Sequence, residues 1–171
     1  MQDVISNILN RYDTTGKYLD KEGIKEIEKY FDTAIERLKI AELITSNSSQ
    51  IIKEAANRLY IEQPELLRPG GNSYTTRRYA TCLRDIDYYL RYTSYALIAG
   101  NVDIINERLL DGLKETYSSL SVPIGPVIRA IEILKEIILI EINNQDIKIT
   151  NQNIFSLPFD YISLSLSEQN I

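Results

Sequence analysis

The sequence predicts an all-α fold, and three observations carry that prediction. Apolar residues recur at spacings of three and four along most of the chain, the period of helices that bury one face. No segment alternates strongly enough to read as a strand. The breaks between periodic segments hold residues that end or start helices, such as Gly100-Asn101 and the segment SVPIGP at 121–126.

Taken in order, Asp3 to Asp13 forms a short helix with Val4, Ile5, Ile8 and Leu9 on one side. Ile24, Ile27, Phe31, Ala34, Ile35, Leu38 and Ala41 make an amphipathic stripe over many turns. The segment NSSQ, Asn47 to Gln50, resembles a capping box and predicts a helix restart that runs to about Ile61. EQPELLRPGGNS, Glu62 to Ser73, is the strongest break, with two prolines and a Gly-Gly pair. A long helix follows from about Tyr74 to Ala99, with Gly100-Asn101 as its C-cap. Two shorter helices fit Val102 to Leu110 and Asp111 to Leu120. SVPIGP offers a cap and a first-turn proline to an apolar helix from about Ile124 to Ile142. Polar Asn143 to Asn153 reads as a loop, and a final helix spans about Ile154 to Leu166. Roughly eight helices with short links are compatible with a globin-like packing.

At 171 residues the expectation is one domain over 1–171. A chain of this size buries roughly 70% of its unfolded surface and needs no disulfides. Its single cysteine permits none within the chain, which points to a reducing compartment. A net charge of −5 argues against nucleic-acid binding. The N-terminus lacks the basic-then-apolar order of a secretory signal, and the longest strictly apolar run, Ile137 to Ile140, is far short of a membrane span. A soluble protein is expected. No histidine is present, which removes Ser-His-Asp and Cys-His catalysis and most zinc sites. No metal is expected.

The one cysteine lies in RRYATCLRDIDYYLRY, Arg77 to Tyr92, among arginines, aspartates and tyrosines. On a helical wheel, Arg78, Asp85, Ile86 and Tyr89 fall within about 60° of Cys82, and Tyr92 about 80° away. Arg77, Arg84, Asp87 and Arg91 point to the opposite side. The thiol shares its face with a cation, an anion and aromatic rings, a setting for a large, partly apolar ligand. On spacing alone the favoured reading is a core thiol, with Arg78–Asp85 or Arg84–Asp87 as helix-surface ion pairs. A redox-sensing thiolate is a third option, without a resolving cysteine in the chain. A pigment-free helical interaction or thiol-sensor protein therefore stays open here.

RPGGNSYTTRRYATCLRDIDYYLRYTSYALIAGN resembles the chromophore-bearing region of phycobiliproteins, specifically beta-type allophycocyanin subunits. The resemblance runs essentially end to end, through MQDVISNILNRYDTTGKYLD, ERLLDGLKETYSSLSVPIGP and FDYISLSLS. Cys-Leu-Arg-Asp after an Arg-Arg pair and a Gly-Gly-Asn loop is its most specific motif. EQPELLRPGGN at 62–72, VPIGP at 122–126 and the ending LSEQNI at 166–171 lean toward the minor beta-type subunit of the phycobilisome core. The alternative is the major beta subunit, which usually carries a cysteine where Ser163 stands here.

The resemblance implies a light-harvesting antenna subunit of globin-like fold, not an enzyme, carrying one phycocyanobilin on a thioether to Cys82. By motif, Asp85 would accept hydrogen bonds from the pyrrole N–H groups. Arg84, and one or both of Arg77 and Arg78, would pair with the propionates, a contact suited to guanidinium. On the wheel Arg84 points about 160° from Cys82, so it would have to bend around the rim. Asn72 matches a position that is methylated on its side-chain amide in many beta-type subunits. Tyr88, Tyr89 and Tyr117 would wall the pigment, or serve as ordinary core or interface aromatics.

In this family residues 1–20 form a helical pairing extension, and Asp3, Asp13, Tyr18, Arg91 and Tyr95 match positions used in subunit contact. For Asp13 and Arg91 the alternative is a solvated surface pair of little energetic worth. The implied partners are an alpha-type allophycocyanin subunit and the bilin domain of the core-membrane linker, in pairs that build rings of three. The implied location is the thylakoid surface of a plastid or a cyanobacterium. Ile and Asn richness, with Ser121 in place of the usual glycine, points to a plastid genome.

Overall fold

The computed structural model describes residues 3–151 and 153–167, so residues 168–171 of the LSEQNI ending lie outside the described residues. Among those described, the chain is helical with no strand. It runs α1 (Val4–Thr14), α2 (Lys21–Asp32), α3 (Ala34–Glu62), a 3₁₀ turn (Pro64–Leu67) and α4 (Thr76–Ala99). Then come α5 (Asp103–Ile105), a π-helical turn (Asn106–Leu110), α6 (Leu113–Ser119), α7 (Ile124–Asn144) and α8 (Asn153–Ser167).

Packing explains the order. α3 lies against α4 and α7, and α7 carries α8. Ile40, Ile51 and Leu59 of α3 meet Ile86, Leu90 and Leu97 of α4, Ile131, Ile133 and Leu134 of α7, and Phe159 and Ile162 of α8 in one buried core. Burying one such aliphatic side chain contributes about 1.5–3 kcal/mol.

The N-terminal pair is built by caps. Asp3 accepts from the Ser6 N–H at 2.7 Å at the start of α1. Asp20 accepts from the Glu22 and Gly23 N–H groups, each at 2.9 Å, and from the Tyr12 hydroxyl at 2.5 Å. It thereby caps α2 and ties α1 to it. The Tyr12 bond, then the backbone donors, hold its carboxyl below the usual range.

Three sequence expectations are corrected. No helix restarts at NSSQ: α3 is continuous through Asn47–Gln50, because Ile40, Ile44, Ile51, Ala55 and Leu59 keep one buried stripe and that burial outweighs a local cap. The stripe from Ile24 to Ala41 belongs to two helices, broken at Thr33, whose hydroxyl turns back to the Lys29 carbonyl at 3.2 Å. Its Phe31, Ile35 and Leu38 are 57%, 63% and 51% exposed, so this face is not core in the single chain. Finally, the region expected as helix from Val102 to Leu110 is a single α-turn followed by the π-turn, and α6 is shorter than expected, with Gly112 before it at φ +74°.

Buried Arg37 fastens the α2–α3 junction to the end of α4. Its Nη1 donates to the Leu97 and Ile98 carbonyls at 2.9 and 2.8 Å, and its Nη2 to the Tyr30 carbonyl at 2.6 Å. α4 stops at Gly100 as expected, with φ +74°; a Cβ there would lie 2.6 Å from the Tyr30 ring.

A cavity built on one face of α4

The loop before α4 folds back on itself. The Ser73 N–H donates to the Leu66 carbonyl at 2.9 Å, and at Gly71 the carbonyls of Glu65 and Leu66 leave no room for a Cβ. This close approach carries Asn72 and Ser73 to the mouth of a cavity of about 420 Å³, within the roughly 300–1,000 Å³ of small-molecule sites. Thr75 then starts α4, its hydroxyl accepting from the Arg78 N–H at 3.3 Å.

Successive turns of α4 supply the wall. Arg77 and Arg78 stand exposed at the first turn, followed by Cys82, Asp85, Ile86 and buried Tyr89. Tyr117 of α6 and Pro126, Val127 and Ala130 of α7 close the other side. The spacing 78, 82, 85, 89 keeps one face of a helix toward one space, and the wheel placed these four together for that reason.

A hydrogen-bonded chain crosses the cavity floor. The Tyr117 hydroxyl donates to Asp85 Oδ2 at 3.2 Å, and the Tyr89 and Tyr117 hydroxyls bond directly to each other. Burial holds both tyrosines well above the ordinary phenol range, with the Asp85 charge adding to it for Tyr117. Both stay neutral, so they can donate: Tyr89 to Tyr117, Tyr117 to the carboxylate. Asp85 also receives Arg84, whose Nη2 lies 3.1 Å from Oδ1. Cys82 is half-buried, and desolvation pushes its thiol up.

The residues named from the sequence divide into two groups. Cys82, Asp85, Arg77, Arg78, Asn72, Tyr89 and Tyr117 line the cavity. Arg84 and Tyr88 do not: Arg84 is 57% exposed, and the guanidinium carbons of Arg84 and Arg91 lie over the Tyr88 ring, 5.7 and 5.3 Å from its centroid. Arg77 reaches the mouth although the wheel turned it away, because a first-turn side chain borders the loop as well as the helix. Asp3 serves α1 as its cap, Tyr18 is 98% exposed, and Asp13, Arg91 and Tyr95 are exposed. Arg91 pairs with Asp87 one turn back.

Sequence reading missed Ser73, Thr75 and the α7 wall. Thr75 was findable, since Thr before an Arg-rich helix start is a capping signal. Ser73 and Val127 gave no local signal; only the chain's return brings them here.

A family model described as phycobilisome protein matches residues 7–166. The chain belongs to the phycobilisome protein family. Over its full length and theirs it is 64% identical to the allophycocyanin subunit beta-18 of Aglaothamnion neglectum, 58% to that of Porphyra purpurea and 46% to that of a Nostoc species. The helical fold is accordingly the globin-like phycobiliprotein fold, and the chain is a light-harvesting subunit of the phycobilisome core, the minor beta-type reading being the one its relatives match. Phycobilisome proteins carry covalently attached bilins, assemble with alpha subunits and associate with thylakoids. Among the described residues no helix is long and apolar enough to cross a membrane, and no side-chain cluster could hold a metal ion.

Proposed function

We propose that the α4 cavity holds phycocyanobilin on a thioether to Cys82, and that the chain serves as an antenna and not as an enzyme. The observation that carries the reading is the shared cavity: one thiol, one carboxylate fed by two neutral tyrosines, and two arginines at the mouth. These donors fit a linear tetrapyrrole with N–H groups in its middle and two propionates. When bound, the pigment supplies visible absorption and emission.

The chain's own residues do the rest. Cys82 fixes one end. Asp85, held by Tyr117 and Arg84, accepts from pyrrole N–H groups and favours a protonated pigment. Arg77 and Arg78 take the propionates, with Arg84 available at the rim after leaving Asp85. Asn72, the position for side-chain methylation, Tyr89 and Tyr117 fill the wall, and Tyr88 borders it from outside. Fixing the pigment at three places slows torsional decay, so excitation survives long enough to pass to a neighbour.

The whole chain, 1–171, acts as one domain, with 1–20 as a pairing extension. Exposed Phe31, Ile35 and Leu38 beside it suit a partner subunit, with Asp3, Asp13, Tyr18, Arg91 and Tyr95 adding polar and aromatic contacts. The partners are an alpha-type allophycocyanin subunit or the bilin domain of the core-membrane linker, in pairs that build rings of three. The assembly lies peripherally on the thylakoid, on the stromal side in a plastid or the cytoplasmic side in a cyanobacterium. The test is a visible spectrum of natively purified protein in acid urea. Absorbance that stays with the polypeptide is expected; its complete loss would leave a pigment-free helical protein.

A further inference from the structure

One hydroxyl behind the cavity wall is left over. Tyr60 of α3 is 8% exposed, and its hydroxyl oxygen is buried with no hydrogen-bond partner. Its ring stacks on Tyr79 of α4, centroids 5.4 Å apart. Tyr79 lies one turn before Cys82 on the same helix face, so the stack carries Tyr60 to the Cys82 side of α4, where neighbouring Leu59, Ser73 and Cys82 line one cavity. The thiol and Ser73 both act on the Tyr60 hydroxyl's titration. Ser73 is 3% exposed, held by its N–H bond to Leu66. Phenylalanine would fill the same space without an unmet hydroxyl, so this oxygen is placed for something the resting thiol does not use.

We propose that Tyr60, seconded by Ser73, is a positioning residue for pigment attachment, donating to the Cys82 sulfur as a thiolate and afterwards as a thioether. The proposal rests on the reading of Cys82 as the tether. Attachment is the addition of a thiol across a carbon–carbon double bond of the tetrapyrrole. The thiol proton leaves to water, a sulfur lone pair forms the S–C bond, and the displaced π pair takes a proton from water at the adjacent carbon. The sum is thiol plus alkene, with no oxidant or reductant.

The reacting form is the thiolate, and its surroundings oppose it. Burial pushes Cys82 up and the Asp85 charge pushes the same way, while the hydroxyls of Tyr60 and Ser73 pull it down. Tyr89 and Tyr117 face it neutral, and Arg77 and Arg78 stand at the rim. Tyr60 is itself held up by burial, so it remains a donor at neutral pH.

The test uses the full chain expressed without pigment and follows iodoacetamide alkylation of its single thiol against pH. In Tyr60→Phe the midpoint should rise by about half to one pKa unit, slowing alkylation at neutral pH about three- to tenfold; Ser73→Ala should move it the same way. Because no pigment is involved, failure here leaves the antenna reading standing, and loss of pigment binding is tested separately by Cys82→Ser. A Tyr60→Phe profile that superimposes on the wild type would overturn the proposal. So would failure of that variant to fold by circular dichroism, since the hydroxyl would then be carrying structure.

Discussion

Arginine, aspartate and tyrosine stand on both sides of α4 and do different things, and the inner side adds the chain's one cysteine. Toward the cavity stand Arg78, Cys82, Asp85 and Tyr89; away from it stand Arg84, Asp87, Tyr88 and Arg91. On the inner side charge and hydroxyl groups are linked across elements, Tyr89 to Tyr117 of α6 and Tyr117 to Asp85. On the outer side they pair within the helix, Arg91 with Asp87 and both arginines over Tyr88. Composition does not separate a ligand site from a solvated face; the tertiary partner does. Exposed pairs of this kind contribute about 0–1 kcal/mol, whereas a buried polar group left unpaired costs about 1–3 kcal/mol.

That contrast can be broken, and the largest effect is expected at Cys82, the proposed tether. Cys82→Ser should abolish covalent pigment, read as loss of visible fluorescence from the polypeptide band on a denaturing gel. Asp85→Asn removes the carboxylate that Tyr117 and Arg84 both reach, and it should shift absorption and lower emission. Unchanged spectra would remove Asp85 as the pyrrole partner.

High pH should attack the inner side as a whole. Tyr60, Tyr89 and Tyr117 are all raised by burial. A group raised in the folded state deprotonates first in the unfolded chain, so its contribution is complete below the ordinary tyrosine value, about 10, and is lost progressively above it. Denaturation midpoints of the pigment-free chain should therefore hold through neutral pH and fall above about pH 10. A midpoint that did not fall there would mean these hydroxyls are wetter than their burial implies.

Smaller effects sharpen the contrast further. Tyr117→Phe leaves the Tyr89 hydroxyl without a partner and Asp85 with Arg84 alone, and should cost about 1–3 kcal/mol in urea unfolding. Tyr89→Phe added to it should cost less than a second increment of that size, because the two hydroxyls act as one unit. Arg91→Ala on the outer side should change the stability of the isolated chain by no more than about 0.5 kcal/mol, measured the same way.

Much of this was legible in the sequence, for physical reasons. Helical periodicity located the helices because most of them bury one continuous stripe, and the wheel grouped Arg78, Cys82, Asp85 and Tyr89 because α4 is regular where it meets the cavity. It failed where burial comes from another element. Asn47–Gln50 looked like a helix start, yet Ile51 and Leu59 hold α3 unbroken. Ile35 and Leu38 looked like core, yet they face outward in the single chain, since an apolar stripe reads alike whether it meets the protein's own core or another subunit. Tyr60 and Ser73 were invisible beside Cys82, because a loop return and a helix crossing bring them there, and neither leaves a local pattern.

The proposed antenna role depends most directly on a covalent bond at Cys82. Peptide mapping of natively purified protein by mass spectrometry would measure it. A proteolytic peptide spanning Cys82 should carry the added mass of one linear tetrapyrrole, and no other peptide should carry it. An unmodified Cys82 peptide in pigmented protein would contradict the account.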